Sequence, residues 1–252
     1  CPYTHTHTHI QRTLARTHTH YPQLFRVHGA WSRWSNQLVL EQHAAAFATA
    51  YLQPIAGAVA ELWGHGGPTP TQVWASPYAV ANLTRWRGSL GGGNRWLSPA
   101  AWGSTIDALL ANAPGLAMLA PQDSMGALGN TLANVSALLG ATVAASNRRG
   151  RQTWSNVELF ATLPAGCDSR ASKCGRQPAP FDRIRGQVEN EARVLAASGA
   201  AGGRLIAWEW LGCLSPNLPP SNPVAAAAKA NYDAYAAWQR APAVATPLLR
   251  SA

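Results

Sequence analysis

The stretch Thr153-Trp154-Ser155-Asn156-Val157-Glu158-Leu159-Phe160 decides how the chain is read. Trp154 and Val157 sit in a run that favours a pleated strand. Successive strand side chains point to opposite faces. Trp154, Asn156 and Glu158 therefore share one face, and Val157 and Leu159 take the other. The apolar face suits packing on helices, while the polar face ends in a carboxylate.

Helical patterns flank this strand. Asn130 to Asn147 precedes it, and Phe181 to Ala197 follows it, ended by the glycine-rich stretch Gly199 to Gly203. Further out the alternation continues. Gln37 to Trp63 is Ala-rich and apolar at helical spacing, with Pro54 expected to kink or split it. Val73 to Tyr78 is a short strand-like run with Pro77 near its end. Ser98 to Ala113 reads as a helix, with Ser98 as N-cap and Pro99 in the first position. Gly115 to Ala120 and Arg204 to Trp210 read as strands, and Ser221 to Gln239 as a last helix. Strand starts fall roughly 35 to 50 residues apart with a helix in each gap, which is the pattern of βα units on a parallel sheet.

A complete eight-unit barrel takes about 250 residues, and only about four units are present. The predicted fold is therefore α/β: the C-terminal half of a TIM-type (β/α)8 barrel. A small open α/β sheet is the alternative. The expected organisation is a disordered Thr/His-rich segment over residues 1–30 and a partial barrel over residues 31–245. The first segment carries Thr-His alternation at Tyr3 to Ile10 and again at Thr17 to His20, which offers no apolar face to a core. His5, His7 and His9 could suit zinc, copper or nickel, but a translated dinucleotide repeat gives the same pattern and is the preferred reading. The chain starts on Cys1 and reads as a fragment or a processed product, with no secretory leader visible.

The net charge is +9, from 20 basic and 11 acidic residues, which raises the question of a nucleic-acid partner. Nearly all of the positive charge is arginine, scattered along the chain, with one tight group at Arg148, Arg149 and Arg151. A nucleic-acid surface concentrates charge on one face, so no nucleic-acid partner is expected, and the basic-binder reading is kept as a second alternative. No apolar run approaches the ~18 to 20 residues of a membrane-spanning helix. No phosphate-cradling loop is present: Gly91-Gly92-Gly93 lacks the lysine that would follow. No cofactor and no metal are expected.

The ends of the strands carry the polar residues. Ser76 and Tyr78 end the first, Gln122 and Asp123 the second, Asn156 and Glu158 the third. Glu209 ends the fourth between Trp208 and Trp210, with Ala207 and Glu209 facing the barrel axis and Ile206 and Trp208 facing helices. Barrel enzymes place their chemistry at this rim. Carboxylates, aromatic rings and amides suit carbohydrate chemistry. One carboxylic acid protonates the leaving oxygen, and a second carboxylate attacks or activates water. Glu158, Asp123 and Glu209 are the candidate catalytic residues. Ser76, Tyr78, Gln122, Asn156, Trp154 and Trp210 are the candidate substrate-binding residues. Any one such Glu is more often a solvated loop residue or a salt-bridge partner.

The words Trp74-Ala75-Ser76-Pro77-Tyr78, Ala120-Pro121-Gln122-Asp123-Ser124-Met125-Gly126-Ala127, Trp154-Ser155-Asn156-Val157-Glu158-Leu159-Phe160, and Trp208-Glu209 with Leu214-Ser215-Pro216 follow in order. The series resembles a TIM-barrel family of glycoside-hydrolase-like domains of unknown function, over about residues 34 to 240. The resemblance implies that Glu158 ends the seventh barrel strand in the nucleophile's place, with Gln122, Asp123 and Asn156 in the same cleft. It implies an acid/base carboxylate just before Trp34, where Phe25 to Arg33 holds none. The implied function is hydrolysis of a glycosidic bond. The alternative is a carbohydrate-binding barrel without catalysis.

Cys167 and Cys174 are spaced to permit a disulfide, with Cys213 as a competitor. Asn82-Leu83-Thr84 and Asn134-Val135-Ser136 are glycosylation sequons, so an extracellular setting is one expectation.

Overall fold

The computed structural model describes residues 44–46, 48–54, 56–57, 73–79, 81, 98–162, 176–200 and 203–241. The Thr/His segment, Asn82, Gly91 to Gly93, Cys167 and Cys174 lie outside the described residues.

The fold is mixed α/β, and among the described residues the paired strands are all parallel. In chain order the elements are β1 (Val73–Ala75), α1 (Pro99–Ala111), β2 (Leu116–Leu119), α2 (Met125–Leu128), α3 (Leu132–Arg148), β3 (Gln152–Thr153), β4 (Ser155–Glu158), α4 (Phe181–Ala197), β5 (Leu205–Trp208), α5 (Trp210–Cys213) and α6 (Ala225–Arg240). Before them, a π-helical turn spans Ala48–Leu52. It runs directly into a helical turn containing Pro54, whose missing N–H removes one ladder bond at that point.

β1 pairs with β2, β2 with β3, and β4 with β5. The strand expected over Thr153 to Phe160 is thus two pieces that part at Trp154. The Trp154 amide donates to the Leu119 carbonyl on one side, and the Ser155 amide to the Arg204 carbonyl on the other. The pieces nevertheless belong to one row. Beyond the strand ends, the Gln122 amide donates to Pro77, Asn156 to Pro121, and Asp123 to Asn156. The paired strands β1 and β2, β2 and β3, and β4 and β5 are each joined through helices, whereas only Trp154 separates β3 from β4.

Several boundaries differ from the sequence reading. β2 keeps only Leu116–Leu119 of Gly115 to Ala120. β1 stops at Ala75, because Pro77 cannot donate to a ladder. β5 stops at Trp208, because Glu209 takes a left-handed backbone with φ 69° and opens the turn of α5. The last helix starts at Ala225, not Ser221. α4 has the bounds read from sequence, and Gly199 follows it with φ 62°.

Local chemistry explains the helix starts. The Ser98 hydroxyl accepts from the Ala101 amide at 3.1 Å, and Pro99 occupies the first turn of α1. The Thr131 hydroxyl accepts from Asn134 at the start of α3. α1 and α3 pack together, and Trp102 Nε1 donates to Thr142 Oγ1 at 2.8 Å inside their seam. Trp102, Ile106, Leu109, Leu116, Leu119 and Leu138 form one core. Val157, Leu159 and Phe160 form another with Ile184 of α4 and Leu214. Burial of each such side chain contributes about 1.5–3 kcal/mol.

Candidate active site at the strand ends

Three neighbouring strand ends bring Ser76, Gln122 and Asn156 together. Asn156 Nδ2 donates to Ser76 Oγ at 3.0 Å, and Gln122 Nε2 donates to the Ser76 carbonyl at 3.4 Å. Tyr78 and Asn156 flank Gln122 as its backbone bridge partners.

Asp123 and Glu158 meet one step deeper. Asp123 Oδ1 accepts from the Glu158 amide at 3.3 Å and from the Met125 amide at 3.1 Å. Glu158 Oε2 accepts from the Ala127 amide at 2.7 Å. Both side chains are buried, Glu158 completely. The segment between them is held in place by Asn130. Its side-chain amide donates to the Ala79 carbonyl at 2.6 Å and to the Asp123 carbonyl at 2.7 Å, and its Oδ1 accepts from the Ala81 amide.

The remaining candidates sit elsewhere. Glu209 is ion-paired with Arg176, whose guanidinium also lies over the rings of Phe160 and Trp208. Trp208, expected to face helices, is 39% exposed. Trp154 is covered by the Arg204 guanidinium, 5.7 Å from the ring centre. Trp210 packs edge-on against Tyr235 of α6. Cys213 is a buried free thiol, pushed up to about 11 by burial. The tight arginine group is used internally: Arg148 and Arg149 pair with Asp107, and Arg151 donates to the Pro114 carbonyl. Asn134 lies in the first turn of α3, with the sequon hydroxyl of Ser136 donating to the Leu132 carbonyl.

The sequence reading missed the contribution of α4. Arg183, Gln187 and Glu191 lie four residues apart on one stripe of it. Arg183 Nη2 donates to the Glu158 carbonyl at 3.0 Å and also to the Phe160 carbonyl. Gln187 Nε2 donates to Asp123 Oδ2 and to the Glu158 carbonyl. Glu191 is fully buried, with the Asp123 carboxyl and the Ser155 hydroxyl as polar neighbours. A signal was present. The stripe through Ile184, Val188, Ala192 and Leu195 also runs through Gln187 and Glu191, so polar groups had to be buried with it.

Electrostatics follow from this burial. Desolvation pushes Glu158 up to about 8, helped by the charge of Asp123 and opposed by the Ala127 and Gly126 amides and by Arg183. Burial raises Asp123 and Glu191 as well, and it lowers Arg183. At neutral pH Glu158 therefore holds a proton and can donate one. Glu158 Oε1, Gln122 Oε1, Asn156 Oδ1 and Gln187 Oε1 are buried acceptors without a donor. Among the described residues, no group of three His, Cys, Asp or Glu side chains could hold a metal ion.

No family model and no curated protein matches the chain. Among solved structures it is similar to a protein from Bacteroides thetaiotaomicron provisionally assigned as an alpha-L-fucosidase, with a TM-score of 0.52 and 17% identity. The match covers 76% of this chain and 50% of the other, so this chain spans half the length of the solved protein. At that identity the likeness shows the fold alone, a mixed α/β arrangement with parallel strands.

Proposed function

We propose that the chain forms the later half of a (β/α) barrel of the glycoside hydrolase type and acts on a glycosidic bond. The observation that carries this reading is the shared rim of strand ends. Ser76, Gln122, Asn156, Asp123 and Glu158 come from three neighbouring parallel strands and are linked by side-chain and backbone hydrogen bonds. Strand neighbours in chain order fit a barrel, and likeness over half of a fucosidase-like chain fits half of one.

In this reading Glu158 is the attacking carboxylate. Asp123 supports it through the Glu158 amide, and Glu209 sits further along the rim with Arg176. The attacking role needs the ionised form. Water reaching Oε1, or a sugar hydroxyl donating to it, would lower the raised affinity of Glu158 for its proton. The amides of Gln122 and Asn156 would bind hydroxyls, and the partner would be a carbohydrate with no nucleic acid involved. An aryl α-L-fucoside is the first substrate to try. The full chain should release the aryl group, and Glu158→Gln should reduce release to background. Equal rates for parent and variant would remove Glu158 from the reaction.

A second reading has its own support. Complete burial and a retained proton suit a structural carboxyl, and so a carbohydrate-binding barrel without turnover. Retention on a glycan array without product release would favour it.

A further inference from the structure

Glu191 poses a problem that its neighbours solve. It is fully buried, and neither of its carboxyl oxygens meets a donor with hydrogen-bonding geometry. An ionised carboxylate left this way is costly by several times an ordinary hydrogen bond. Its carboxyl lies within hydrogen-bonding reach of the Asp123 carboxyl. Two carboxylates at such a distance do not both ionise; one proton is shared between them.

The surroundings decide which one carries it. Asp123 already accepts from the Met125 and Glu158 amides and from Gln187 Nε2. Those three donors favour its ionised form. Glu191 has none of these; the Ser155 hydroxyl beside it favours its ionised form but is outweighed by burial and by the charge of Asp123, and Arg183 on the same helix spends Nη2 on the carbonyls of Glu158 and Phe160. The other titratable group facing the pair is Glu158 of β4. Around this end of α4, α3 presents Leu139 and Val143, and β5 presents Leu205.

We propose that Glu191 is a positioning residue: it stays protonated, donates its O–H to Asp123, and thereby holds Asp123 on the Glu158 amide. The direction in which burial moves both carboxyls agrees with this arrangement. Its effect on catalysis rests on the glycosidase reading of Glu158, whereas its effect on titration does not.

The test uses the full chain, with carboxyl carbons followed by NMR as pH rises, in the parent, Glu191→Gln and Glu191→Leu. Besides Glu158, which is raised to about 8, a second carboxyl of the parent should stay protonated through neutral pH. The second signal should vanish in Glu191→Gln, while that of Glu158 persists and Asp123 remains ionised. Glu191→Gln, whose amide still donates, should melt near the parent at neutral pH and hold its stability further into the alkaline range. Glu191→Leu, which cannot donate, should melt lower. Titration of Glu191 near its ordinary value of 4.5 would overturn the proposal, as would equal melting of the Gln and Leu variants. Fucoside release gives a separate readout. If Glu158→Gln leaves release unchanged, the glycosidase reading fails and the proton-sharing pair stands. If Glu191 is ionised at neutral pH, the pair fails whatever the hydrolysis shows. Where hydrolysis is measurable, Glu191→Gln should extend the alkaline limb of its pH profile, an effect that simple loss of packing does not produce.

Discussion

Gly126 lies against Phe160 so closely that a Cβ there would come within 2.7 Å of the ring and 2.8 Å of the Phe160 carbonyl oxygen. A ring can turn aside, but the main-chain oxygen cannot move without shifting the end of β4. The close approach also brings the Ala127 amide to Glu158 Oε2. Gly126→Ala should therefore destabilise by about 1–3 kcal/mol, the usual cost of overpacking. Urea unfolding at fixed pH measures it. An unchanged midpoint would show that the loop yields freely.

Asn130 offers a different kind of test. It satisfies the Ala79 and Asp123 carbonyls and the Ala81 amide at once. Asn130→Ala leaves these three groups without that partner and should cost at least about 2 kcal/mol in the same unfolding assay. Asn130→Asp should be worse, because a carboxylate would face two carbonyl oxygens.

Stability should fall as pH rises. Glu158 moves from an ordinary 4.5 to about 8 in the folded chain. A group raised in this way contributes its full stabilisation below pH 4.5 and loses it progressively up to about pH 8. The slope per proton is about 1.4 kcal/mol per pH unit. Asp123 and Glu191 are raised too and act in the same direction. Denaturant unfolding across that window should show the decline, and Glu158→Gln should flatten it. A flat profile in the parent would contradict the buried state of these carboxyls.

Self-association is expected of the chain expressed by itself. Among the described residues β5 pairs only with β4, and Trp208, Trp210 and Leu211 are exposed beside it. An unpaired edge with apolar neighbours recruits other chains. Leu211, 74% exposed, is the residue to change: Leu211→Lys should reduce concentration-dependent association in sedimentation. A parent that sediments as a monomer at all concentrations would overturn the expectation.

The alternation of helices and strands was legible because it rests on local rules. Ser98 and Pro99 announce α1 by cap chemistry, and the apolar stripe of α4 fixes its length. The break at Trp154 was not legible. It arises because the two halves of one strand follow different neighbours, which no local pattern records. Strand parity also failed at Glu209, where a left-handed backbone intervenes between Trp208 and the turn of α5. Asp123 and Glu158 were readable as acidic residues at strand ends. Their companion Glu191 was marked only by its place on the apolar stripe of α4, against the ordinary expectation that a Glu on a helix is solvated. The packing of α4 against the strands shows that this one faces inward.

The order of the strands bears on how the protein is made. β2, β3 and β5 each pair with the strand that left the ribosome just before it, so each finds its template already in place. β5 is the last of these strands to emerge. It completes the Ser155 to Glu158 pairing, so β4 lacks its partner strand until Leu205 to Trp208 has been synthesised. A chain stalled before that point would present the Ser155 to Glu158 edge, which carries Asn156 and Glu158, as an open template for other chains.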